Sequence, residues 1–202
     1  MTNETLIASL KEDGAIQTPA VESAFRAIDR ARFVPSDLKQ DAYMDTALPI
    51  SAGQTISQPT VVALCLEWLS AKSGDHVLDV GSGSGWTTAL LAHLVGLSGS
   101  VIGVERVPEL VAFGSNNLST YAFAHTHIEQ AGDELGKPDA APFDRILVSA
   151  ATEEVPDSLL QQLKDDGRMV IPIRDAICVV DRTGEHFKTV CHEGFVFVPL
   201  IT

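Results

Sequence analysis

A glycine-rich stretch between an apolar run and a helix-like run most constrains what this chain can fold into. Val77, Leu78 and Val80 form the apolar run, and residues 81–85 follow with three glycines in five positions. Trp86 then opens a run with the apolar spacing of a helix. Glycine permits positive φ and close approach of a ligand, and a helix start presents unpaired N–H groups. The stretch therefore predicts a strand, a tight turn and a helix that begin a βαβ unit and a ligand site.

Strand-like and helix-like segments alternate along the rest of the chain. We predict strands at 76–80, 100–105, 126–130, 144–149 and 168–173, separated by helices at 86–95, 108–121 and 156–164. Such alternation is typical of a parallel sheet with helices on both faces. The last predicted strands, 176–181 and 187–199, have no helix between them, which favours a hairpin. We therefore expect an α/β fold with a doubly wound, mostly parallel Rossmann-like sheet and an antiparallel C-terminal edge.

The N-terminal part of the chain is predicted to add extra helices and one long irregular segment. Helical spacing covers residues 3–12 and 18–30, and Pro59 opens a third apolar helix. The segment 36–58 between them is long for a connection without regular structure, and such segments are usually functional or disordered. Tyr43, Leu48 and Ile50 favour ordered packing. We expect this segment to lie over a site.

Composition narrows the classes of partner. The 202 residues, 45% hydrophobic and 20% charged, are typical of one globular domain. The net charge of −13 repels phosphate backbones, so no nucleic-acid partner is expected. No apolar run reaches the roughly 18 residues of a membrane span, and the N-terminal residues do not resemble a signal peptide. We expect a cytoplasmic monomer without a membrane partner.

Cysteine and histidine positions do not indicate a metal site. Cys65, Cys178 and Cys191 are odd in number and form no CxxC pair, so neither a disulfide nor a zinc site is expected, and the compartment is expected to be reducing. His125 and His127 could share one face of a strand, but no carboxylate or cysteine lies at a suggestive spacing.

The glycine spacing excludes two familiar ligand classes. A dinucleotide fingerprint requires a glycine at position 86, after Gly81 and Gly83, but the chain has Trp86 there and its third glycine at Gly85. A triphosphate-binding loop requires a lysine before Ser or Thr, and this stretch has none. Trp86 itself either touches the ligand or plugs the turn.

Three acidic side chains follow predicted strands. Asp79 lies at the end of the first strand, Glu105 ends the second strand 26 residues later, and Asp133 comes after the third. The Asp-x-Gly-x-Gly-x-Gly pattern that begins at Asp79 resembles the cofactor loop of class I S-adenosylmethionine-dependent methyltransferases. For that cofactor, Asp79 suits the ammonium group, Glu105 two ribose hydroxyls and Asp133 the adenine amino group. Taken alone, Glu105 is more often a solvated strand end than a ligand, and Asp79 could also cap the turn.

A closer resemblance covers nearly the whole chain in separate blocks. Residues 42–63, AYMDTALPISAGQTISQPTVVA, resemble the N-terminal signature of protein-L-isoaspartate O-methyltransferases. The arginine and FVP of residues 30–35, the strand-loop-helix block at 143–173 and the VPL of residues 198–200 resemble further blocks of that family. The resemblance implies one domain, 1–202, in which 1–74 supplies helices and a substrate or lid segment and 75–202 the cofactor-binding α/β core.

The resemblance also implies an activity and a set of site residues. The implied activity is methylation of L-isoaspartyl α-carboxyl groups in damaged proteins or peptides, from S-adenosylmethionine with S-adenosylhomocysteine as product. It implies Ser57 as the catalytic residue, although Ser57 could instead cap the helix that Pro59 opens. The expected cofactor-binding residues are Gln54, Thr55, Ile56, Asp79, Gly81, Ser82, Gly83, Gly85, Glu105, Arg106, Asp133 and Glu134.

The chain departs from the family pattern at several places. Thr60, Val61 and Val62 stand where many members carry histidines, Asp133-Glu134 replaces an Asp-Gly of some members, and the sequence ends at Thr202, before the tail that some members have. Two alternatives therefore stay open. One is a class I methyltransferase for another carboxylate, peptide or small-molecule acceptor, and the other is a cofactor-binding regulatory domain without catalysis.

Overall fold

The computed structural model describes residues 1–201. Its α-helices are α1 (Asn3–Glu12), α2 (Pro19–Ala27), α3 (Pro59–Leu69), α4 (Trp86–Val95), α5 (Pro108–Leu118) and α6 (Asp157–Gln162). Its strands are β1 (Leu48–Pro49), β2 (Thr55–Ile56), β3 (His76–Val80), β4 (Ser100–Glu105), β5 (Thr126–Gln130), β6 (Phe143–Val148), β7 (Leu163–Ile173), β8 (Ala176–Thr183) and β9 (His186–Glu193). None of the helices in this part of the chain has the length and apolar character needed to cross a membrane.

The main sheet has seven strands in the order β5-β4-β3-β6-β7-β8-β9. The pairs among β5, β4, β3, β6 and β7 are parallel, whereas β8 and β9 add an antiparallel edge. Val80 at the end of β3 pairs with Val104 on one side and with Val148 on the other. The carboxyl ends of these three central strands are therefore level with one another. The predicted α/β fold, with its antiparallel C-terminal edge, is confirmed.

Both faces of the sheet are covered, because its central strands alternate between two buried clusters. Val77 belongs to the cluster that includes the apolar faces of α1, α2, α3 and α4. Its neighbour Leu78 belongs to the cluster on the other face, with Leu159 of α6 and Met169 of β7. Successive strand residues point to opposite faces, so a strand that is apolar on both faces must be buried between two layers. The extra N-terminal helices thus complete one of the covering layers.

Several element ends differ from the predicted ends for local reasons. The last strand stops at Glu193 rather than at residue 199, because Gly194 takes φ +98°, which does not continue a strand. Residues beyond it turn back, and the main chains of Val198 and Leu200 bond to Ala151. Strand β7 begins at Leu163, five residues before its predicted start, and a register shift opposite Phe143 and Arg145 accommodates the extension.

The expectation that this chain forms no disulfide is wrong. Cys178 of β8 and Cys191 of β9 are directly paired across the antiparallel ladder, with Cα atoms 4.0 Å apart, and their sulfurs are bonded. The hairpin was predicted with its turn at residues 182–185, whereas the observed ladder closes at the pair Thr183 and His186, and this register places the two cysteines opposite each other. The odd cysteine count obscured this pairing. Cys65 remains a free, buried thiol, and burial raises its pKa to about 12.

The disulfide predicts how many thiols react in the unfolded protein. Without reductant, protein unfolded in guanidinium should titrate one thiol, that of Cys65, and after reduction it should titrate all three cysteines. The Cys178→Ser variant is the control, because it frees Cys191 and should titrate two thiols without reduction. Three reactive thiols in unreduced wild-type protein would contradict the disulfide.

Candidate functional site

A large cleft of about 810 Å³ lies where the central parallel strands end. Its wall combines the ends of β3 and β4, the loop after β6, and two segments distant in sequence. The lining residues include Gln54, Thr55, Gly81, Gly83, Glu105, Arg106, Asp133, Glu134, Ser149, Ala150 and residues 198–201. A cleft of this volume, at the edge where an open α/β sheet changes direction, is the usual place for a small-molecule ligand.

The glycine turn is packed so closely on α5 that no side chain fits between them. Gly81, Gly83 and Gly85 all have positive φ, at 78°, 50° and 83°. A Cβ on Gly114 of α5 would lie 2.7 Å from the Gly83 carbonyl oxygen, and a Cβ on Gly85 would lie 2.9 Å from the Gly114 carbonyl oxygen. Glycine is therefore needed on both sides of this contact. The turn is supported from behind while Gly81 and Gly83 face the cleft.

Asp79 is fully buried and tied to the first turn of α4. Its Oδ2 accepts hydrogen bonds from the Thr87 Oγ1 at 2.9 Å and the Thr88 Oγ1 at 2.6 Å. Its Oδ1 is buried and has no partner among residues 1–201. Burial is the main cause that raises the pKa of Asp79 to about 6, and the charge of Glu105 adds to it, whereas the hydroxyls of Thr88, Thr87 and nearby Ser149 lower it. Asp79 thus fixes the first turn of α4 through its Oδ2 atom, and its Oδ1 atom has no hydrogen-bond partner in the described residues.

Glu105 connects the cleft wall to the glycine turn. It is the last residue of β4 and only 7% exposed. Its Oε2 accepts from the Gly83 N–H at 2.9 Å and its Oε1 accepts from the Val107 N–H at 2.9 Å. Each carboxylate oxygen can accept a further hydrogen bond. Glu105 therefore holds the turn and still presents acceptor capacity to the cleft.

The loop after β5 forms the far wall of the cleft. The Arg106 guanidinium donates to the Gly132 carbonyl at 2.8 Å, and exposed Asp133 and Glu134 line the cleft. Buried Gln162 of α6 accepts from the Lys137 N–H at 2.7 Å and donates to the Leu135 carbonyl at 2.8 Å, so it holds this loop in place. Sequence reasoning missed Gln162, because its partners lie 25 and 27 residues away.

A smaller pocket of about 300 Å³ adjoins the large cleft and is lined mostly by hydroxyl groups. The two cavities share Thr55, Gly81, Gly83 and Ser149 as common wall. Six lining residues of the smaller pocket carry hydroxyls, namely Thr55, Ser57, Ser82, Ser84, Thr87 and Ser149. The Ser82 hydroxyl is buried and has no partner in the described part of the chain. We call this cavity the hydroxyl pocket.

Ser57 lies on the wall of the hydroxyl pocket, and it does not cap α3. The N-cap residue of α3 is Gln58, and the capping contact comes from Asp45, whose Oδ1 accepts from the Thr60 N–H at 2.8 Å. The Oδ2 of Asp45 also accepts from the Thr60 hydroxyl at 2.7 Å. The Ser57 hydroxyl has no hydrogen-bond partner within residues 1–201, so it is available to a ligand.

Trp86 closes the base of the glycine turn and also lines the hydroxyl pocket. The side chain is 2% exposed and packs edge-on against Phe25 with ring centroids 5.6 Å apart. Trp86 therefore plugs the turn, and its place on the wall of the hydroxyl pocket leaves contact with a ligand open as well.

The histidines of β5 and its neighbourhood form no metal site in the described residues. His127 is exposed and lies 3.5 Å from Glu129. Residues 1–201 contain no cluster of three or more His, Cys, Asp or Glu side chains that could hold a metal.

The structure thus divides the predicted site residues into three places. The large cleft brings together Gln54, Thr55, Gly81, Gly83, Glu105, Arg106, Asp133 and Glu134. The hydroxyl pocket adds Ile56, Ser57 and Ser82. Asp79 of β3 and Gly85, the N-cap residue of α4, are buried. Both support the turn and line neither cavity. Fold and site together define a Rossmann-like α/β protein with a small-molecule cleft and an adjoining polar pocket.

Comparison with known proteins identifies the family. The family model described as protein-L-isoaspartate(D-aspartate) O-methyltransferase matches residues 1–202, and the chain belongs to this family. A protein-L-isoaspartate O-methyltransferase of Methanopyrus kandleri is 44% identical over 204 residues, which cover 98% of this chain and 90% of that protein. One from Pyrococcus horikoshii is 40% identical over 201 residues, which cover 96% of this chain and 90% of that protein.

A solved structure gives the same result for the fold. The crystal structure of a protein-L-isoaspartate O-methyltransferase from Plasmodium falciparum, in complex with S-adenosyl-L-homocysteine, superposes with a TM-score of 0.89 at 28% identity. The superposition covers 100% of this chain and 99% of that chain. The resemblance noted in the sequence is therefore confirmed over the full length.

The buried carboxyl of Asp79 predicts a specific pH dependence of stability. A pKa raised to about 6 means that the folded protein binds this proton more tightly than the unfolded chain. The proton stabilises the fold below about pH 4, and this stability is lost as the pH rises through about 6. Between pH 4.5 and 7.5 the free energy of unfolding should fall about 2 kcal/mol more in wild type than in Asp79→Asn.

Urea unfolding of both proteins at the two pH values measures this difference. Any pH-independent effect of the substitution cancels in the comparison. Equal pH dependence in wild type and Asp79→Asn would show that Asp79 titrates normally in the fold.

Proposed function

We propose that this chain methylates the α-carboxyl group of L-isoaspartyl residues in damaged proteins or peptides, with S-adenosylmethionine as methyl donor. The observation that carries the proposal is the wall shared by the large cleft and the hydroxyl pocket, at Thr55, Gly81, Gly83 and Ser149. A methyl transfer needs a donor site and an acceptor site in direct contact, because the nucleophile and the methyl group must be aligned. Membership of the family supports this assignment of the two cavities.

The residues of the large cleft fit the cofactor. Glu105 has spare acceptor capacity for two ribose hydroxyls, and Asp133 can accept from an adenine amino group. The amino-acid end would lie at residues 81–85, with Gln54 and Thr55 across the cleft. The unpaired buried Oδ1 of Asp79 favours a nearby cation or a bridging water at this end. Arg106 and Glu134 complete the adenine-side wall in this proposal, and Ile56 and Ser82 extend the contact surface into the hydroxyl pocket.

The acceptor chemistry requires orientation rather than a base. Bound S-adenosylmethionine supplies an electrophilic methyl group on a positively charged sulfur. An α-carboxyl group is already ionised near pH 7, so no residue has to remove a proton from it. We propose that the Ser57 hydroxyl donates to one carboxylate oxygen, which leaves the other directed at the methyl group. Ser149 and Ala150, small residues after β6, leave room for a peptide backbone to approach the shared wall.

The product explains why such a reaction repairs proteins. Methylation makes the α-carbonyl carbon more electrophilic than that of the free carboxylate. The following main-chain nitrogen attacks this carbon, and the methoxy group leaves with the amide proton as methanol, so that a succinimide forms. Hydrolysis of that ring returns part of the chain to a normal aspartyl linkage. A monomeric state and a cytoplasmic location stay predictions of the sequence, as does the absence of nucleic-acid and membrane partners.

Methyl transfer to a defined peptide tests the proposal. With radiolabelled S-adenosylmethionine, an isoaspartyl peptide should become methylated while its aspartyl counterpart should not.

Ser57→Ala should lower kcat about 10- to 100-fold, the value of one hydrogen bond to a charged group, with unchanged affinity for S-adenosylhomocysteine. Ser51→Ala, in the same segment but outside both cavities, is the control. No label in the isoaspartyl peptide from an enzyme that binds S-adenosylhomocysteine would overturn the substrate and favour another acceptor or a regulatory domain.

The ribose contact is tested by binding alone. Glu105→Gln removes the negative charge and one acceptor oxygen, so the dissociation constant for S-adenosylhomocysteine in calorimetry should rise about 10- to 100-fold. Glu109→Gln is the matched control, because Glu109 is exposed at the start of α5 and lies outside the cleft. Equal affinity of Glu105→Gln and wild type would remove Glu105 from the cofactor site.

A further inference from the structure

We propose that Arg30 is a positioning residue of the hydroxyl pocket, where its guanidinium holds Ser57 in place for the acceptor carboxylate. This inference rests on the proposed function of that pocket. Arg30 does not line the pocket. It acts on the main chain of the segment that carries Ser57.

The side chain of Arg30 is fully buried and has no carboxylate partner. It is 0% exposed, and none of the ion pairs within residues 1–201 includes it. Burial lowers its pKa to about 10, although the negative charge of Asp45 acts in the opposite direction, so the guanidinium is still charged near neutral pH. Burial of a charged group is costly unless hydrogen bonds compensate for it. The contacts that the guanidinium makes inside the protein therefore decide what the residue does.

The guanidinium instead binds main-chain carbonyl groups from both ends of one segment. Nη1 donates to the carbonyls of Ala42 at 2.7 Å and Met44 at 3.4 Å. Nη2 donates to the carbonyls of Thr46 and Ser57, each at 3.0 Å. Between these ends lies only the short β1–β2 pair. Arg30 thus links the start of the segment to Ser57 across the protein interior.

Two neighbouring contacts hold Arg30 itself in position. Its guanidinium carbon lies 5.1 Å from the ring centre of Trp86, another residue of the hydroxyl pocket. The neighbouring residue Asp29 accepts a hydrogen bond from the Tyr43 hydroxyl at 2.8 Å. Tyr43 belongs to the segment that Arg30 binds, so both residues hold that segment. Arg30 is therefore in contact with two parts of the pocket wall, the Ser57 main chain and the Trp86 ring.

The position of the Ser57 hydroxyl depends on this arrangement. The hydroxyl has no hydrogen bond of its own within the described residues, so its location follows from its backbone. The Arg30 Nη2 atom holds that backbone at the carbonyl oxygen. A shift of about 1 Å in a positioned group can reduce turnover about 100-fold. Loss of the guanidinium should therefore lower kcat for the isoaspartyl peptide far more than it lowers affinity for the cofactor.

The variant Arg30→Lys tests this directly. Lysine keeps the positive charge, but its single nitrogen cannot bind carbonyls on both sides as Nη1 and Nη2 do. We expect kcat per folded molecule to fall about 100-fold, with less than about a threefold change in the dissociation constant of S-adenosylhomocysteine. Arg30→Gln, which keeps an amide donor and loses the charge, should give the same split and serves if Arg30→Lys does not fold.

Arg168→Lys is the matched control for a merely structural loss. Arg168 pairs with Asp181 and donates to the Trp68 carbonyl at 3.0 Å, outside both cavities. This variant should lower the melting temperature and leave kcat unchanged. Misplacement of Ser57 is expected to lower kcat about 100-fold. If Arg30→Lys lowers only the melting temperature and keeps kcat within about twofold of wild type, far from that loss, the positioning role is overturned.

Hydrogen exchange separates this inference from the proposed function. If the wild type itself does not methylate the isoaspartyl peptide, the substrate proposal fails, and exchange of the amides in residues 54–58 still tests the contact. Faster exchange there in Arg30→Lys but not in Arg168→Lys, well below both melting temperatures, supports the role of Arg30. Equal exchange in the two variants would overturn it.

Discussion

The level pairing of β3 with β4 on one side and β6 on the other is the constraint on which the site depends. Val80 pairs with Val104 and with Val148, so the chain leaves all three strands at the same height. The glycine turn, Glu105 and Ser149 therefore meet at one edge. A shift of one residue in either pairing would turn the side chains of β3 to the opposite faces of the sheet, so that Val77 and Leu78 would exchange places between the two buried clusters. The same burial that stabilises the core thus aligns the binding residues.

The electrostatics of the two cavities are complementary to the two reactants of the proposed methyl transfer. The large cleft has carboxylates at Glu105 and Asp133, which suit the polar hydrogens of a nucleoside and the neighbourhood of a cationic sulfur. The hydroxyl pocket has neutral donors and, behind its wall, the buried charge of Arg30. Although the whole chain has a net charge of −13, the hydroxyl pocket with Arg30 behind it favours an anionic acceptor. Neither cavity needs a strong general base, because the acceptor is already ionised.

Much of the fold and part of the site could be predicted from local patterns. The strand and helix periods placed β3, α4 and β4 at their observed bounds, because each is an apolar run between glycine or proline signals. The residues at strand ends followed from the same argument, since carboxyl ends of parallel strands share an edge. The disulfide could not be predicted from the number of cysteines, because it depends on the exact register of the hairpin, which closes at Thr183 and His186 rather than at the predicted turn, residues 182–185.

The residues that support the site could not be predicted in the same way. Arg30, Asp45 and Gln162 act through partners between 12 and 27 residues away, and most of those partners are backbone groups. Any sequence can supply a main-chain carbonyl, so no pattern of side chains indicates which one a buried arginine will bind. Only the three-dimensional path of residues 42–57 shows that Arg30 lies under it.

A crystal structure with S-adenosylhomocysteine and an isoaspartyl peptide tests the central claim, that donor and acceptor occupy adjoining cavities with a common wall. The sulfur should lie in the large cleft beside Gly81 and Ser149. The isoaspartyl α-carboxylate should lie in the hydroxyl pocket, within hydrogen-bond distance of the Ser57 hydroxyl and with one oxygen facing the sulfur. A peptide bound away from Ser57, or a cofactor bound outside the cleft, would contradict the account.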